Sequence, residues 1–270
     1  MFKSKILLLA ALICLAFSGT SCAQPSKIPE PVKKARKSFS FIKIKSVASP
    51  IKCSFLEKSM GESKIKECDI KSLSPLTLRS YGSGMVVKHV IDSTYVMTAA
   101  HVCWSPKNDT KTLGHKTITV KVDSMITVTD GHGKDYVAEI YAMDSKNDIC
   151  ILRAKGTFGF PVPIADKEPD LPERVYTYGA PLAIHHPGVI LMFSGITAGR
   201  LNQGERTVNF YTLVARPGSS GSSILNNKGE IVGLIHTAIT NLESVAIGSS
   251  LKPIQTIVNS IPEVFYERVD

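Results

Sequence analysis

The sequence contains no apolar run long enough to span a lipid bilayer, which takes about 20 residues. Its longest run, Ile6 to Phe17, is shorter and follows Lys3 and Lys5. The chain also lacks a Cys-x-x-Cys pair. The first absence indicates a cleavable leader in place of a membrane-spanning helix, and the second argues against zinc or thiol-redox chemistry.

The main part of the chain lacks an excess of charge of either sign. Of the 32 Lys/Arg and 23 Asp/Glu residues, 14 and 5 lie in residues 1–75, which leaves 18 of each in residues 76–270. A nucleic-acid-binding face needs clustered Lys and Arg, so the neutral part is predicted to bind no nucleic acid. Apolar residues make up 43% of the chain, which is enough for a full hydrophobic core.

Residues 1–23 have the pattern of an export signal, with basic residues before an apolar run and small residues after it. Cleavage before Gln24 is one interpretation. The other is a bacterial lipoprotein signal with lipid on Cys22, although Gly19 stands where such signals usually carry a bulky aliphatic residue. The protein is therefore expected to be exported: periplasmic, secreted, or attached to a bacterial membrane through Cys22. Residues 24–38, rich in Pro, Lys and Ser, are predicted to form a solvated linker.

Short β-type runs separated by Gly, Asp, Asn and Pro follow this segment. They are Gly84–Val90, Lys116–Val122, Tyr136–Ala142, Ile149–Ala154, Val175–Gly179, Val189–Ser194, Thr207–Val214 and Glu230–Thr237. No long amphipathic helix interrupts them, which favours an all-β barrel or sandwich over alternating βαβ units. One helix is predicted at 251–261, where apolar residues recur at helical spacing after Ser249 or Ser250, either of which can cap it.

Three segments carry candidate chemistry. His101 follows small residues at the end of an apolar run, Asp148 precedes a β-type run, and Ser220 lies in a Gly/Ser loop. Each alone is typical of an ordinary structural feature: a strand-end histidine, a turn aspartate or a flexible loop. Together they supply a nucleophile, an imidazole that moves its proton, and a carboxylate that fixes the imidazole tautomer. Glycines beside the nucleophile allow a sharp bend, so the N–H groups of Gly218 and Ser220 are candidates for an oxyanion hole.

At these residues the chain resembles the trypsin-like (chymotrypsin-fold) serine peptidases, through TAAHV, NDICIL and GSSGS in the order His, Asp, Ser. The α/β-hydrolases and subtilisins use other orders. The likeness covers about residues 75–260, and within the family it is to bacterial HtrA-like and glutamyl-endopeptidase-like members without a PDZ domain. It implies one domain at 39–270: an all-β, double six-stranded antiparallel barrel (about 39–165 and 172–250) with the C-terminal helix.

The resemblance implies a serine endopeptidase that forms an acyl-enzyme on protein or peptide substrates, with no cofactor and no metal. The paired His185 and His186 have no Cys, Asp or Glu nearby at ligand spacing, so a loop is the better interpretation. One alternative is a catalytically silent trypsin-like domain that binds a partner protein. Another is an esterase on the same fold.

Three departures from the family pattern bear on activation and specificity. Many members carry Asp just before the nucleophile, where it pairs with a newly cut amino terminus, but here Ser219 holds that position, so activity without zymogen cleavage is expected. Val214 stands where trypsin has its pocket carboxylate, which predicts cleavage after small or apolar residues. His236 has two interpretations: it binds a substrate Glu, as in glutamyl endopeptidases, or it is a packed strand histidine that supports Asp148.

Four cysteines, Cys53, Cys68, Cys103 and Cys150, remain in the exported chain and allow three connectivities. Cys53 and Cys68 bracket a charged, hairpin-like segment, which makes their pairing the simplest prediction. Cys103 and Cys150 each lie two residues after a member of the triad. The triad would bring those two neighbourhoods together, so a second bridge is predicted there.

Overall fold

The computed structural model describes residues 27–59, 62–104, 107–204, 206–239 and 242–263. The predicted signal peptide and the candidate lipid-bearing Cys22 lie outside the described residues. Within those residues, no helix is long and apolar enough to cross a membrane.

The strands of the first barrel and its extensions are β1 (Phe39–Ser59), β2 (Glu62–Glu67), β3 (Leu76–Val90), β4 (Ser93–Thr98), β5 (Asn108–Leu113), β6 (Lys116–Thr129), β7 (Asp135–Asp144) and β8 (Ile149–Lys155). Six of them are antiparallel and close on themselves in the order β1-β3-β4-β8-β7-β6, with β1 pairing again with β6. The two shorter strands β2 and β5 extend the sheet beside β1 and β6. Alternate apolar side chains such as Ile42, Ile44 and Val128 fill its interior, as the period-two pattern of a half-buried strand requires.

The strands of the second barrel are β9 (Arg174–Gly179), β10 (Leu191–Gln203), β11 (Arg206–Tyr211), β12 (Ser223–Leu225), β13 (Ile231–Ile239) and β14 (Leu242–Ser249). They close in the order β10-β11-β14-β13-β12-β9. Val175, Tyr211 and Ile224 are among its fully buried residues. The two closed barrels confirm the predicted double six-stranded architecture.

A third group of buried side chains joins the two barrels. It includes Phe39 and Met85 from the first barrel, Tyr178 and Leu225 from the second, and Ile254 from the C-terminal helix. Because this cluster is continuous, burial of apolar area fixes the barrels against each other. The candidate site residues lie where the two barrels meet.

The C-terminal helix spans Leu251–Asn259, slightly shorter than predicted, and buries its apolar face. Its capping differs from the prediction. Ser250 occupies the N-cap position but makes no side-chain cap hydrogen bond, and the Leu251 N–H donates instead to a Glu168 carboxylate oxygen at 2.7 Å. A carboxylate at a helix N-terminus satisfies an unpaired N–H and also meets the positive end of the helix dipole.

The segment before Phe39 is folded, which corrects the predicted solvated linker over its second half. Helix α1 (Glu30–Ala35) has Pro31 in its first turn and continues into a 3₁₀ turn at Arg36–Ser38. Val32 and Ala35 are buried in the cluster between the barrels, and the Val32 carbonyl accepts a hydrogen bond from the Tyr178 hydroxyl at 3.0 Å. Pro and Lys richness suggested a linker, but two apolar residues three apart are enough to anchor one helical turn.

This packing predicts that a chain beginning at Phe39 is less stable than one beginning at Lys27. Removing Val32 and Ala35 from the core should lower the free energy of unfolding by about 3 kcal/mol. Urea denaturation midpoints of the two chains would measure it. Val32→Ser in the longer chain should reproduce most of the loss, and Lys33→Ala, on the exposed side of α1, should not. Equal midpoints for the two chains would contradict a structural role for α1.

Candidate active site

His101 lies on a one-turn helix, α2 (Ala100–Cys103), immediately after β4. Its backbone N–H donates to Asp148 Oδ1 at 2.8 Å, and its ring Nδ1 lies 2.7 Å from Asp148 Oδ2. A carboxylate only accepts hydrogen bonds, so Nδ1 carries the proton and Nε2 is left as the basic nitrogen. Half of the side chain is exposed, which leaves the imidazole accessible from the cleft.

Asp148 sits between the turn after β7 and the start of β8, with a positive φ of 55°. Its Oδ2 also receives a hydrogen bond from the ring Nδ1 of His236, at 2.9 Å. Burial by itself raises the pKa of this carboxyl. The hydrogen bonds from His101 and His236 outweigh burial and hold the pKa well below its usual range. Asp148 is therefore ionised at neutral pH and acts as a fixed acceptor for both imidazoles.

His236 lies on β13 and is buried, with both ring nitrogens engaged. Nδ1 contacts Asp148, and Nε2 lies 2.8 Å from the Ser249 hydroxyl oxygen. That hydroxyl also lies 2.8 Å from the carbonyl oxygen of Asn147, next to Asp148 in the chain. Ser249 thus ties the histidine and the aspartate turn together from the second barrel. These contacts favour the interpretation in which His236 supports Asp148.

Ser220 lies in the loop between β11 and β12, and its hydroxyl donates to the carbonyl of His236 at 3.1 Å. Gly218 and Gly221 on either side have φ angles of +96° and +84°. A Cβ at Gly218 would collide with the carbonyl of Ala180, and one at Gly221 would collide with the carbonyl of Ser83. Only glycine fits both positions, which explains the Gly-x-x-Gly spacing around the candidate nucleophile.

The loop carbonyls are held by neighbouring groups. The Leu182 N–H donates to Pro217 O at 2.6 Å, and the Ser83 hydroxyl donates to Gly218 O at 2.8 Å. The Ser222 N–H donates to the carbonyl of Ser219 at 3.0 Å. In a trans peptide group the C=O of one residue points opposite to the N–H of the next, so the Leu182 contact orients the Gly218 N–H and the Ser222 contact orients the Ser220 N–H. The Ser83 contact fixes the Gly218–Ser219 peptide between them.

The N–H groups of Gly218 and Ser220 are available for a ligand. Within the described residues, neither donates a backbone hydrogen bond, although the N–H groups of Ser219 and Gly221 do. Two unpaired donors in the same loop, one of them on the candidate nucleophile itself, can bind an oxygen that develops negative charge. The loop thus holds the predicted pair in an orientation that the chain itself enforces.

Comparison with known proteins agrees with this geometry. The family model of the trypsin-like peptidase domain matches residues 82–234, more than half of the chain and including all three candidate catalytic residues. The chain belongs to the trypsin-like peptidase family. This membership supports peptidase activity.

Individual relatives share little sequence identity with this chain. Two proteins described as serine protease HtrA-like, from Staphylococcus aureus strains bovine RF122 / ET3-1 and USA300, are each 22% identical over 195 residues. The alignment covers 67% of this chain and 23% of each relative, so the chain spans about a quarter of their length. The crystal structure of the serine endoprotease from Yersinia pestis superposes with a TM-score of 0.57 at 16% identity, over 87% of this chain and 66% of that one. The superposition supports the fold.

In this trypsin-like peptidase, Val214 points away from the second barrel's core. Its neighbours Leu213 and Ala215 are buried, whereas Val214 is 37% exposed. It lies between β11 and the Ser220 loop, so its side chain is available to line a pocket. The exposed group at this position is therefore apolar.

Of the paired histidines in the loop between β9 and β10, His185 has a packing role. The His185 ring stacks on Phe41 of β1, with ring centroids 4.7 Å apart, and burial is the main cause that lowers its pKa. His186 is exposed and bonds only locally, to the carbonyl of Pro187. In the part of the chain that the structure describes, no three His, Cys, Asp or Glu side chains are grouped closely enough to hold a metal.

Both predicted disulfides are present. Cys53–Cys68 ties β1 to the chain after β2, and Cys103–Cys150 ties α2 to β8. The second bridge lies two residues beyond His101 and Asp148, so it fixes the helix that carries the imidazole to the strand that follows the carboxylate. Cross-links of this size typically stabilise a fold by about 3 kcal/mol through the unfolded chain.

Two residues that position the site are absent from the sequence-based prediction. Ser83 orients the Gly218 peptide, and Ser249 connects His236 to Asn147. Ser83 belongs to the Gly82-Ser83-Gly84 run that resembles the family, yet nothing in that run shows where its hydroxyl points. Ser249 directly precedes the C-terminal helix, so its local sequence indicates only a helix cap.

Proposed function

We propose that this trypsin-like peptidase is a serine endopeptidase that works through an acyl-enzyme. The observation that carries the proposal is the pair of hydrogen bonds from His101 to Asp148, because they leave Nε2 unprotonated and aim the ring. The proposed roles are Ser220 as nucleophile, His101 as general base and then general acid, and Asp148 as the group that fixes the tautomer and stabilises the imidazolium.

The proposed reaction begins when the Ser220 hydroxyl leaves the His236 carbonyl and gives its proton to His101 Nε2. The Ser220 oxygen bonds to the scissile carbonyl carbon. The substrate's carbonyl oxygen becomes an oxyanion that accepts hydrogen bonds from the N–H groups of Gly218 and Ser220. His101 then protonates the leaving amine as the C–N bond breaks, which leaves an acyl-enzyme. Water, deprotonated by His101, hydrolyses that ester and restores Ser220.

We assign His236 and Ser249 as positioning residues. Both nitrogens of the His236 ring are already engaged, so a substrate carboxylate would have to break one of these buried contacts. This supports a role in holding Asp148 over a role in recognising a substrate Glu.

A catalytically silent, partner-binding domain is the competing function. A fluorophosphonate probe discriminates between the two, because it reacts only with an activated serine. We expect stoichiometric labelling at Ser220, with His101→Ala as the unlabelled control. An intact, folded protein that resists the probe would favour the silent domain.

We expect cleavage after small or apolar residues. A substrate Arg or Lys side chain would bring a cation next to Val214, which stands where trypsin has its pocket carboxylate, and burying an unpaired charge is strongly unfavourable. A peptide library should show kcat/KM at least 100-fold lower after Arg or Lys than after Ala, Val or Leu. Val214→Asp should narrow that gap, while Val214→Ala should not. A library profile dominated by Arg or Lys would refute this pocket assignment.

We further propose that the protein is exported and needs no zymogen cleavage. Two disulfides fit an oxidising compartment. Ser219 cannot pair with a new α-ammonium group, and the oxyanion loop is already held by Leu182 and Ser83. A chain beginning at Gln24 and made without any processing protease should therefore be active. Activity that appeared only after a cut between Phe39 and Tyr81 would refute this.

A further inference from the structure

A polar cavity of about 530 Å³ lies beside the segments that hold the candidate triad and contains none of the triad residues. Four parts of the chain form its walls: the turn after β7, the segment between the barrels, the β10–β11 hairpin and the start of the C-terminal helix. They contribute, among others, Asp144, Asn147, Glu168, Arg200, Ser250 and Lys252. The volume is within the range of small-molecule sites. The proposed reaction uses no residue of this wall.

The two carboxylates in the cavity wall already have hydrogen-bond donors from the protein. Glu168 accepts from the Leu251 N–H at 2.7 Å and from the Arg200 guanidinium at 3.5 Å. Asp144 accepts from the backbone N–H of Asn147 at 3.0 Å and from its side-chain amide at 2.7 Å. Each of the four carboxylate oxygens therefore has a donor, and one of the two acids is also paired with a cation.

Several donors in the same wall have no acceptor. Ser250 is 5% exposed, yet its hydroxyl makes no hydrogen bond within the described residues. The Lys252 ammonium group forms no ion pair or hydrogen bond with them either. The Arg200 guanidinium uses Nε and Nη2 in its contacts with the protein, which leaves Nη1. A largely buried hydroxyl and two cationic side chains favour a ligand that only accepts hydrogen bonds.

The cavity also meets the N-terminus of the C-terminal helix, which is nine residues long. The first N–H groups of a helix have no acceptor within the helix, and the helix dipole is positive at this end. Glu168 accepts from the Leu251 N–H, whereas the Lys252 N–H has no backbone acceptor among the described residues. An anion beside Ser250 and Lys252 would therefore meet a free peptide donor, a hydroxyl and an ammonium group.

The cavity wall is continuous with the residues that support the candidate triad. Asn147 directly precedes Asp148, and Ser250 directly follows Ser249. The Ser249 hydroxyl oxygen lies 2.8 Å from the Asn147 carbonyl oxygen and 2.8 Å from Nε2 of His236. A ligand in the cavity therefore contacts both of the segments that this hydroxyl joins. Such a ligand favours the conformation in which the two segments are together.

We propose that this cavity binds a small anion with a carboxylate or phosphate group, and that the bound anion activates the enzyme by strengthening the support of Asp148. The anion accepts hydrogen bonds from the Ser250 hydroxyl, the Lys252 N–H and ammonium groups, and Arg200 Nη1. Binding holds the turn before Asp148 against the start of the C-terminal helix, so Ser220 reacts faster. The binding site stands independently of the proposed peptidase function, whereas the activation rests on it.

The test titrates the protein with inorganic phosphate and, separately, with succinate, while sodium chloride keeps the ionic strength constant. The thermal midpoint reports binding, and the rate of fluorophosphonate labelling at Ser220 reports activation. We expect a saturable rise in the midpoint, of about 3 °C at about tenfold excess over Kd, and labelling that is about fivefold faster. A response to only one of the two probes supports the site and identifies the group that it accepts.

Two variants remove donors from the site, and a third serves as their control. Lys252→Gln and Ser250→Ala should each weaken the apparent affinity by at least about fivefold. Lys228→Gln, which removes an exposed lysine from the turn between β12 and β13, should respond as the wild type does.

A response that does not saturate, or equal responses from Lys252→Gln and Lys228→Gln, would overturn the proposal, because either result indicates general screening of charge. A rise in the midpoint with no change in the labelling rate of a reactive Ser220 would overturn the activation. If Ser220 is not labelled under any condition, the peptidase assignment fails, and the midpoint titration still decides whether the site exists.

Discussion

Ser220→Ala is expected to reduce peptide hydrolysis by at least about 10⁴-fold while the protein remains folded. The hydroxyl is the only proposed atom that can form the acyl bond, and removing a triad member leaves just the contribution of binding and the oxyanion N–H groups. Removing the hydroxyl should change the free energy of unfolding little, because among the described residues it makes one hydrogen bond, to the His236 carbonyl, at a partly exposed position. Turnover should be measured on a quenched fluorescent peptide and stability by thermal unfolding.

Ser222→Ala is the matched control, two residues away in the same loop. Its hydroxyl is buried and makes no hydrogen bond among the described residues, so its removal should leave both turnover and stability nearly unchanged. If Ser220→Ala kept wild-type turnover, or if Ser222→Ala lost it equally, the proposed nucleophile would be wrong.

Asp148→Asn is expected to lower kcat by about 10⁴-fold. The amide can donate a hydrogen bond to His101 Nδ1, which would place the imidazole proton on Nε2 and remove the base. The substitution also deprives His236 of a charged acceptor. Fluorophosphonate labelling should slow in parallel with turnover, because both depend on the basic nitrogen. Near-normal labelling would show that Asp148 does not set the tautomer.

The same substitution has a predicted pH signature in stability. The pKa of Asp148 is lower in the folded protein than in the unfolded chain, so its carboxylate stabilises the fold above about pH 4. This contribution is lost as the pH falls toward the folded-state pKa. Asp148→Asn should therefore destabilise the protein at pH 7 and show a weaker loss of stability between pH 4 and pH 2. Parallel curves for the two proteins would contradict the proposed role of the carboxylate in the fold.

Much of the fold was predictable because it depends on local patterns. Alternating apolar residues indicated most of the strands, and the order of the His101, Asp148 and Ser220 segments indicated the double barrel. Strand β1 was missed over Phe39–Ser59, although it is the longest in the molecule. Its lysines and serines hide the alternation, since one of its faces is solvated for much of its length. Helix α1 was missed because a single buried turn leaves almost no periodicity to read.

The sequence alone determined which chemical groups are available: a serine between glycines that only a sharp bend explains, a histidine, an aspartate, four cysteines and a neutral main domain. Only the tertiary structure decided how they are held. Ser249 reaches Asn147 across 102 residues of chain, and Ser83 reaches Gly218 across 135. Contacts so distant in sequence arise from how the barrels close and pack, and they impose no spacing on the chain.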